Sequence, residues 1–546
     1  MKVKTKQFIL FILLGITVSL FSQDLIKSSE PQYQFSSTLT EQIKELKGNP
    51  TLKRFARSRE LMRKDTFHPN YHFLAPENHI GDPNGLTYWN GNWHLFYQFR
   101  GVLEPKAVHW GHAYSKDLIH WKDLPIAIYP EPGIANIHQC FSGGTVAEKD
   151  QVVALYHLTG KGNQVEVSSD DLLLNWKKIR RDSGLVTIPS SPIQNEYGSP
   201  YRVWDPSIWK DGNTYFSLSG IFYGNNNAKY SHLRKTVWHL FASTNLYDWN
   251  YSGEFVENDN FTEIGDDGSC SYFWPLNNNK HLLVFFSHRS GSQYFVGTLD
   301  KTRQKFSAES LTKYYSGPAS ATPDPEHEGN VIVMCNEAGG KNGEAANWNG
   351  VFSLPKRHWL GDKDILMVEP AGDYASLRSN KVTIGKTALA QAKEFYPEGV
   401  KGQSMEIDVV IDPGSSSAID MKLFLSEDGE EYTLVKLIRG GEPYNTLGGE
   451  RWTVMIDPTH SSVRPEVRYN ATLPRAEFLR FDKEPLHVQL FLDMSVIEVF
   501  VNNQASLIER VYPLKKDSRR VSIRPTGNGV VLESLTAWQM GSIWNK

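Results

Sequence analysis

The stretch Gly85-Leu-Thr-Tyr-Trp-Asn-Gly-Asn-Trp-His-Leu-Phe-Tyr-Gln-Phe99 decides the fold class of this chain. Two runs rich in aromatic residues flank Asn90-Gly91, and Asn-Gly is a dipeptide that joins two antiparallel strands in a tight turn. The segment Ile208-Trp-Lys-Asp-Gly-Asn-Thr-Tyr-Phe-Ser-Leu218 repeats this pattern around Asp-Gly, and His281-Leu-Leu-Val-Phe-Phe-Ser287 has the composition of a further strand. We therefore expect an all-β protein built from hairpins.

A degenerate repeat recurs between these strands. Each copy places a Ser a few residues before a Trp, with a polar turn and a Leu between them: Ser115 to Trp121, Ser168 to Trp176 and Ser243 to Trp249. Copies spaced by tens of residues are typical of radially repeated antiparallel sheets. The sequence therefore predicts a β-propeller over residues 66–360.

The rest of the chain divides into segments of different character. Residues 23–65 have helical apolar spacing interrupted at Gly48-Asn-Pro50, and we expect a short helical lead-in there. Residues 361–385 have the composition of a linker. Residues 386–546 are again strand-like, with two alternating strands around a turn near Asp493, so we expect a C-terminal β-sandwich.

The first 22 residues have the composition of a secretory signal peptide. Met1-Lys-Val-Lys-Thr-Lys6 is basic, Phe8 to Phe21 is apolar, and Ser22 offers a small residue at the cleavage point. The apolar run is short for a stable membrane span. A cleaved signal predicts a secreted or periplasmic protein with no membrane segment in its mature form; a retained N-terminal anchor is the alternative.

Composition restricts the class of partner. The net charge is −3, with 22% charged residues, so nothing favours a nucleic-acid or anionic-membrane partner. Aromatic residues make up 12%, which suits either abundant strands or stacking on sugar rings. The three cysteines, Cys140, Cys270 and Cys335, form no recognisable disulfide framework, and the histidines form no metal-binding motif. We expect neither a metal nor another cofactor.

Two aspartates stand in apolar contexts where an isolated charge is costly. Asp82 lies in His79-Ile-Gly-Asp-Pro-Asn-Gly85, and Asp205 lies in Tyr201-Arg-Val-Trp-Asp-Pro-Ser-Ile-Trp209. Hydrolysis of a glycosidic bond commonly uses two carboxyl groups flanking that bond. A turn at Asp82 and a strand-end cap at Asp205 are the structural alternatives.

The chain resembles glycoside hydrolase family 32, the invertases, inulinases and levanases. The resemblance rests on segments that occur in the family's order: His72-Phe-Leu-Ala-Pro76 with Gly81-Asp-Pro-Asn-Gly85, Phe96-Tyr-Gln-Phe99, Trp110-Gly-His-Ala113 with Ser115 to Trp121, Cys140-Phe-Ser-Gly143, Asn347-Trp-Asn-Gly350 with Leu354-Pro355, and Phe491 to Asn502 with Arg510-Val-Tyr-Pro513.

This resemblance implies a five-bladed β-propeller followed by a β-sandwich, retaining hydrolysis of β-fructofuranosyl linkages, a fructan or sucrose-like substrate, and no metal. Asp82 would attack the anomeric carbon, and Asp205 would bind hydroxyls and stabilise the transition state. Both carboxylates are expected to be ionised. The residues expected to form the sugar pocket are Gln98, Trp110, Phe141, Ser142, Arg202 and Trp204.

The chain departs from the family pattern at three places. Gly81 stands where the family has Asn, and Trp204 stands where it has Arg, with Arg202 two residues earlier. The family's acid/base Glu precedes a Cys, but here Ser269 precedes Cys270. Asp267 or Asp266 is the first candidate for the missing proton donor, and Glu263 or Glu337 the second.

Several interpretations stay open. A chain without its acid would cleave only activated substrates or would bind carbohydrate without catalysis. An inverting arabinofuranosidase on a five-bladed propeller is another alternative, with its carboxyl groups about 6.5–9.5 Å apart instead of about 5–5.5 Å. Ser287-His-Arg-Ser-Gly291 follows a predicted buried strand and is a candidate for contact with substrate hydroxyls. Glu498 is expected to point outward from a sandwich strand.

Overall fold

The computed structural model describes residues 28–130, 139–179, 187–189, 201–222, 235–337, 348–440, 447–464, 467 and 473–544. The predicted signal peptide at 1–22 lies outside these residues. Two helices, α1 (Leu39–Lys47) and α2 (Pro50–Met62), form the predicted lead-in. The Asn49 side chain accepts a hydrogen bond from the Leu52 N–H, and this cap begins α2. Among the described residues no helix is both long and apolar enough to cross a membrane.

The described part of residues 78–370 forms five mainly antiparallel sheets that follow one another along the chain. The strands of the first sheet are β1 (Asn78–Trp89), β2 (Asn92–Arg100), β3 (His109–Ser115) and β4 (Lys122–Ile128). Those of the second are β5 (Cys140–Ala147), β6 (Val152–Leu158), β7 (Gly162–Ser168), β8 (Lys177–Ile179) and β9 (Ile188–Pro189). Those of the third are β10 (Ser207–Asp211), β11 (Thr214–Phe222), β12 (Thr236–Ser243) and β13 (Asn250–Glu254).

The last two sheets contain short additional strands at their edges. The fourth comprises β14 (Val256–Glu257), β15 (Ser269–Pro275), β16 (Lys280–Ser287), β17 (Gly291–Asp300) and β18 (Lys305–Lys313). From Ala319 onward come β19 (Ala319–Pro323), β20 (Val331–Glu337), β21 (Trp348–Asn349), β22 (Val351–Phe352), β23 (Lys356–Leu360) and β24 (Leu366–Pro370). All of these belong to the fifth sheet except β21, which pairs in parallel with β1 and so ties the fifth sheet to the first.

The five sheets close into a ring. The first long strands of the sheets, β1, β5, β10, β15 and β19, contact one another in that order, and β19 contacts β1 again. This closure confirms the predicted five-bladed propeller, and it leaves no free edge at the inner end of any blade. Residues at the ends of these inner strands therefore converge on one central region.

The Ser-to-Trp repeat has one structural role in three blades. It spans the turns from β3 to β4, from β7 to β8 and from β12 to β13. In each turn the Leu adopts a positive φ, with values of 66° at Leu118, 52° at Leu173 and 66° at Leu246. Side-chain oxygens of Asp117, Asp170 and Asn245 accept backbone N–H groups from the same turns, which offsets the strain of that conformation.

The C-terminal domain is a sandwich of two antiparallel sheets. Its strands are β25 (Arg378–Ile384), β26 (Thr387–Leu389), β27 (Ser404–Asp412), β28 (Ala418–Leu425), β29 (Thr433–Arg439), β30 (Glu450–Asp457), β31 (Arg475–Arg480), β32 (Leu486–Asp493), β33 (Val496–Val501), β34 (Ala505–Arg510), β35 (Arg520–Pro525) and β36 (Val530–Met540). The predicted linker 361–385 is wrong in extent, because β24 belongs to the propeller and β25 to the sandwich. Only residues 371–377 connect the two domains.

A buried polar seam joins the sandwich to the propeller. The Asp493 carboxylate accepts the backbone N–H groups of Asn70, Tyr71 and His72 at 2.6–2.9 Å. Glu498 points out of its own sheet, as expected, and it is fully buried against the propeller. Its carboxylate pairs with Lys356 at 2.8 Å and accepts the Leu354 N–H.

Candidate active site

Asp82 lies at a bulge near the start of the innermost strand of the first blade. The register of β1 against β2 shifts between Ile80 and Pro83. Such a bulge changes the direction in which a side chain points. The Asp82 Oδ2 atom accepts hydrogen bonds from Gln98 Nε2 at 3.0 Å and from Ser142 Oγ at 2.6 Å. Gln98 also donates to Ser142 at 2.7 Å, so the three side chains form one network.

Gly81, which stands where the family has Asn, packs closely against Gln98. A Cβ atom at Gly81 would lie 2.8 Å from Gln98 Oε1 and 2.9 Å from Gln98 Cβ. Gln98 therefore occupies the space next to Asp82 that a larger neighbour would need. The predicted pocket residues Gln98 and Ser142 both contact Asp82.

Asp205 immediately precedes the innermost strand of the third blade and is buried. Its Oδ2 atom lies 3.8 Å from Cys270 Sγ, and the same sulfur lies 3.9 Å from Asp82 Oδ2. The two carboxyl groups therefore face each other across one thiol, as the predicted pairing requires. Asp205 Oδ1 is buried and has no hydrogen-bond partner among the described residues.

The two carboxyl groups differ in their electrostatic surroundings. Burial raises the pKa of Asp82, while hydrogen bonds from Ser142 and Asn336 oppose that rise. Burial, followed by the negative charge of Asp82, raises the pKa of Asp205 well above its usual range. Two negative charges buried this close together are costly, so the pair favours sharing one proton, and the larger rise in pKa belongs to Asp205. Cys270 stays a neutral thiol, because burial raises its pKa.

Aromatic side chains stand beside this pair. The rings of Phe141 and Trp204 are both partly exposed and pack edge to face, with centroids 6.4 Å apart. Trp110 was expected to contact the sugar, but it is fully buried. Its indole N–H donates to the Phe141 carbonyl at 3.0 Å, so Trp110 supports Phe141 from behind. The charge of the half-buried Arg202 acts on His239, whose pKa it helps to lower.

Asp266 does not fit the role of proton donor that the sequence suggested. It is fully buried, and it accepts hydrogen bonds from Ser287 Oγ at 2.7 Å, from Ser290 Oγ at 2.6 Å and from the Glu263 N–H at 2.9 Å. Although burial alone would raise its pKa, these hydrogen bonds lower it. Asp266 is therefore an ionised residue that organises its own turn.

Asp267 lies nearer to the carboxyl pair but is also ionised. Its Oδ2 accepts from Ser269 Oγ at 2.6 Å and lies 2.7 Å from His288 Nδ1, and its Oδ1 accepts the His288 N–H at 2.8 Å. Burial opposes ionisation, but the contacts with His288 and Ser269 outweigh it and lower the pKa of Asp267. A lowered pKa makes Asp267 a poor proton donor, and its contacts direct it toward His288 instead.

The two glutamates considered as substitutes lie elsewhere. Glu263 is largely exposed and forms ion pairs with Arg289 and Lys313. Glu337 follows Asn336 on β20, and because side chains alternate along a strand, it points away from Asp82. The charges acting on Glu337, led by Glu509, belong to the contact with the sandwich. Neither residue fits the acid of this pocket.

Sequence reasoning missed Asn336 entirely. The signal was weak: a polar residue that ends the apolar run Val331 to Cys335. No group of three or more His, Cys, Asp or Glu side chains in the described ranges is placed to hold a metal ion.

The comparisons with known proteins agree with this architecture. Residues 72–370 match the model of the glycosyl hydrolases family 32 N-terminal domain, and residues 373–539 match the model of the family 32 C-terminal domain. The chain is similar to a levanase of Bacillus subtilis, with 24% identity over 88% of this chain and 71% of the relative. It is also similar to an extracellular exo-inulinase of Aspergillus awamori, with 24% identity over 87% of this chain and 95% of that protein.

Solved structures share the fold. The structure of fructan 1-exohydrolase IIa from Cichorium intybus superposes with a TM-score of 0.73 at 19% identity, covering 88% of this chain and 98% of that one. An exo-inulinase structure from Aspergillus awamori superposes with a TM-score of 0.67 at 21% identity, covering 88% and 99%.

Proposed function

Since the chain belongs to glycosyl hydrolase family 32 and is an O-glycosyl hydrolase of the β-fructofuranosidase type, we propose that Asp82 is its nucleophile in a retaining double displacement. The substrate is a fructan or a sucrose-like saccharide. One observation carries this proposal: Asp82 is held by Gln98 and Ser142 and faces Asp205 across Cys270.

The contacts assign a separate task to each member of this pair. Gln98 and Ser142 fix the Asp82 carboxylate, so its attack on the anomeric carbon requires little reorganisation. Asp205 offers its unpartnered Oδ1 to hydroxyls of the fructosyl ring. Phe141 and Trp204 supply apolar faces that exclude water from one side.

The first experiment measures fructose release from sucrose, a β-2,1 fructan, a β-2,6 fructan and an aryl fructofuranoside. We expect Asp82→Ala to lower kcat/KM by at least about 10³-fold on every substrate that the wild type cleaves. Asp211→Ala is the matched control, because Asp211 is an exposed partner of Lys301 on a blade surface. Full activity of Asp82→Ala would remove the nucleophile assignment.

A second experiment tests the stereochemistry. A retaining enzyme transfers fructosyl units to added methanol with the β configuration, which NMR detects. Formation of the α anomer as first product would favour the inverting alternative. If the protein releases no fructose from any of these substrates yet binds a fructan, it is a carbohydrate-binding protein on this scaffold.

We also propose that the chain is exported and that its first 22 residues are removed. The basic and apolar regions before Ser22 support this, and two of the relatives carry comparable locations in their names, as extracellular or insoluble enzymes. N-terminal sequencing of the protein from the extracellular fraction should give a start near Gln23. An intact N-terminus in a membrane fraction would instead indicate a retained anchor.

A further inference from the structure

Within the described residues, no carboxyl group other than the buried pair Asp82 and Asp205 fits the role of protonating a leaving group at the mouth of the pocket. Ser269 stands where the family has Glu, and its hydroxyl donates to Asp267. Asp266 and Asp267 are ionised, and Glu263 and Glu337 lie elsewhere. Because the departing part of a saccharide extends toward solvent, a proton donor must stand at the open side of the pocket.

His288 stands at that open side. It follows the last residue of β16, and its side chain is 73% exposed. Asp267 holds the ring at two points, through Nδ1 at 2.7 Å and through the backbone N–H at 2.8 Å. The opposite ring nitrogen, Nε2, has no hydrogen-bond partner within the described part of the chain. Asp267 and His288 therefore form an oriented carboxylate–imidazole dyad with a free donor atom.

The charges around His288 connect it to the carboxyl pair. Asp267 raises the pKa of His288 most, and Asp205 and Asp82 raise it further. In turn, His288 opposes the rise that burial causes in the pKa values of Asp82 and Asp205. The positive neighbour, Arg289, donates to the Ile264 carbonyl and pairs with Glu263. The imidazole thus lies within electrostatic reach of both carboxyl groups and favours its protonated form.

We propose that His288, positioned by Asp267, is the acid and base of this active site in place of the family's glutamate. This inference rests on the proposed function. In the first step His288 Nε2 gives its proton to the glycosidic oxygen as the bond from that oxygen to the anomeric carbon breaks. Asp82 bonds to the same carbon, and the alcohol leaves. In the second step neutral His288 takes a proton from water, the water oxygen bonds to the carbon, and Asp82 departs as a carboxylate.

Asp205 is the competing donor, because its pKa is raised well above the usual range. Its side chain is 6% exposed and lies beside the nucleophile on the far side of Cys270. A proton there reaches ring hydroxyls more readily than an oxygen that leads out to solvent. The water of the second step must also arrive from the open side, where His288 stands.

The test compares wild type with His288→Gln on two kinds of substrate. Sucrose needs its leaving group protonated, whereas β-fructofuranosyl fluoride needs little help. We expect kcat/KM on sucrose to fall by about 10²–10⁴-fold and the cleavage of the fluoride to fall far less. Added azide should accelerate His288→Gln and yield fructosyl azide of retained configuration, because azide needs no base.

Two further variants sharpen the result. His327→Gln is the matched control, since His327 is a half-exposed histidine whose Nδ1 contacts Asp324 at 3.0 Å outside the pocket. It should keep wild-type activity. Asp267→Asn keeps the His288 ring but removes its negative partner, which lowers the pKa of His288. The alkaline limb of the pH–rate profile should therefore move to lower pH. In His288→Gln that limb should vanish.

Each outcome bears on one proposal. If wild type is active and His288→Gln cleaves sucrose equally fast with an unchanged pH profile, the histidine assignment is wrong while the nucleophile stands. If Asp205→Asn alone abolishes the alkaline limb, Asp205 is the donor. If wild type releases no fructose, both proposals fail. Thermal unfolding of each variant separates these results from misfolding.

Discussion

Asp205 is a buried carboxyl group whose charged form is costly in the folded protein. In the unfolded chain this group is ionised at any pH above its ordinary pKa. In the pocket, burial and the negative charge of Asp82 raise its pKa well above the usual range. A carboxyl group whose pKa rises on folding contributes its full stability only when the pH lies below the pKa of that group in the unfolded chain. The contribution is lost as the pH rises through the pKa of the group in the folded protein. At neutral pH this residue therefore opposes folding.

Replacing the carboxyl by a neutral amide should relieve this cost. We expect Asp205→Asn to unfold at a higher temperature than wild type at pH 7, with the difference shrinking as pH falls toward 4. Fructose release should fall by about 10²–10³-fold, because transition-state stabilisation is lost. Calorimetry at both pH values checks the first part. An Asp205→Asn protein that is less stable at pH 7 would contradict the raised pKa.

Gly81 leads to a prediction that runs against the family pattern. Asn at this position is the family's usual residue, but its Cβ would displace Gln98 from Asp82. We expect Gly81→Asn to lower kcat between about 10- and 100-fold without a large change in stability, since a small misplacement of the nucleophile is enough. An active Gly81→Asn protein would mean that Gln98 moves aside freely. The double variant Gly81→Asn with Gln98→Ala tests whether removing the clash restores activity.

The sequence predicts Asp82 and Asp205 as site residues because both stand in apolar segments, where an isolated charge is costly. It does not predict their protonation states, which depend on distances between blades far apart in the chain. The sequence does not predict the burial of Trp110 either, for the same reason. The turn residues Asp266 and Asp267 resemble substitutes for the missing acid, yet their hydrogen bonds come from β16 and its following turn.

Among the elements, the turn that begins β15 is tightly packed. A Cβ at Gly268 would lie 2.5 Å from Trp238 Nε1, and the Gly268 carbonyl closely approaches Gly220. We expect Gly268→Ala to shift this turn, which carries Asp267 and Cys270, at a cost of about 1–3 kcal/mol in unfolding free energy. Activity should fall more than stability does.

The control for this prediction is Gly385→Ala, because a Cβ there meets nothing within 4 Å. Urea denaturation and fructose release measure both effects. Equal activity of Gly268→Ala and Gly385→Ala would show that the turn tolerates displacement.

Elements with strong local signals are those that the sequence predicts well. Asn90-Gly91 forms the expected hairpin turn, the second hairpin turns at Gly212-Asn213, and the Ser-to-Trp repeat marks the last turn of three blades. The linker was placed wrongly, because β24 has a mixed composition and becomes a strand only by pairing with β23. That pairing depends on tertiary contacts that local propensity does not contain.

For the whole molecule, the charged seam between the domains determines stability. Lys356 and Glu498 are both fully buried and 2.8 Å apart. Removing one partner leaves the other charge uncompensated, so we expect Glu498→Gln to lower the unfolding free energy by about 3–5 kcal/mol. The double variant Glu498→Gln with Lys356→Met should recover part of that loss, as a double-mutant cycle would measure.

The matched control is Glu430→Gln, which affects a pair with Lys515 at the surface. An exposed pair of this kind should produce no measurable change. If Glu498→Gln lowers the unfolding free energy no more than Glu430→Gln does, the seam is held by packing alone.

The contact of Asp493 with the segment before β1 can form only late in the synthesis of the chain. The His72 N–H and its acceptor are 421 residues apart in the chain. At a synthesis rate of about 5–20 residues per second, on the order of twenty to eighty seconds pass before the ribosome supplies that acceptor. Until then the segment leading to the nucleophile lacks its anchor. We therefore expect nascent chains stalled before residue 493 to bind no fructan and to be cut by protease near residue 70, and full-length chains to resist.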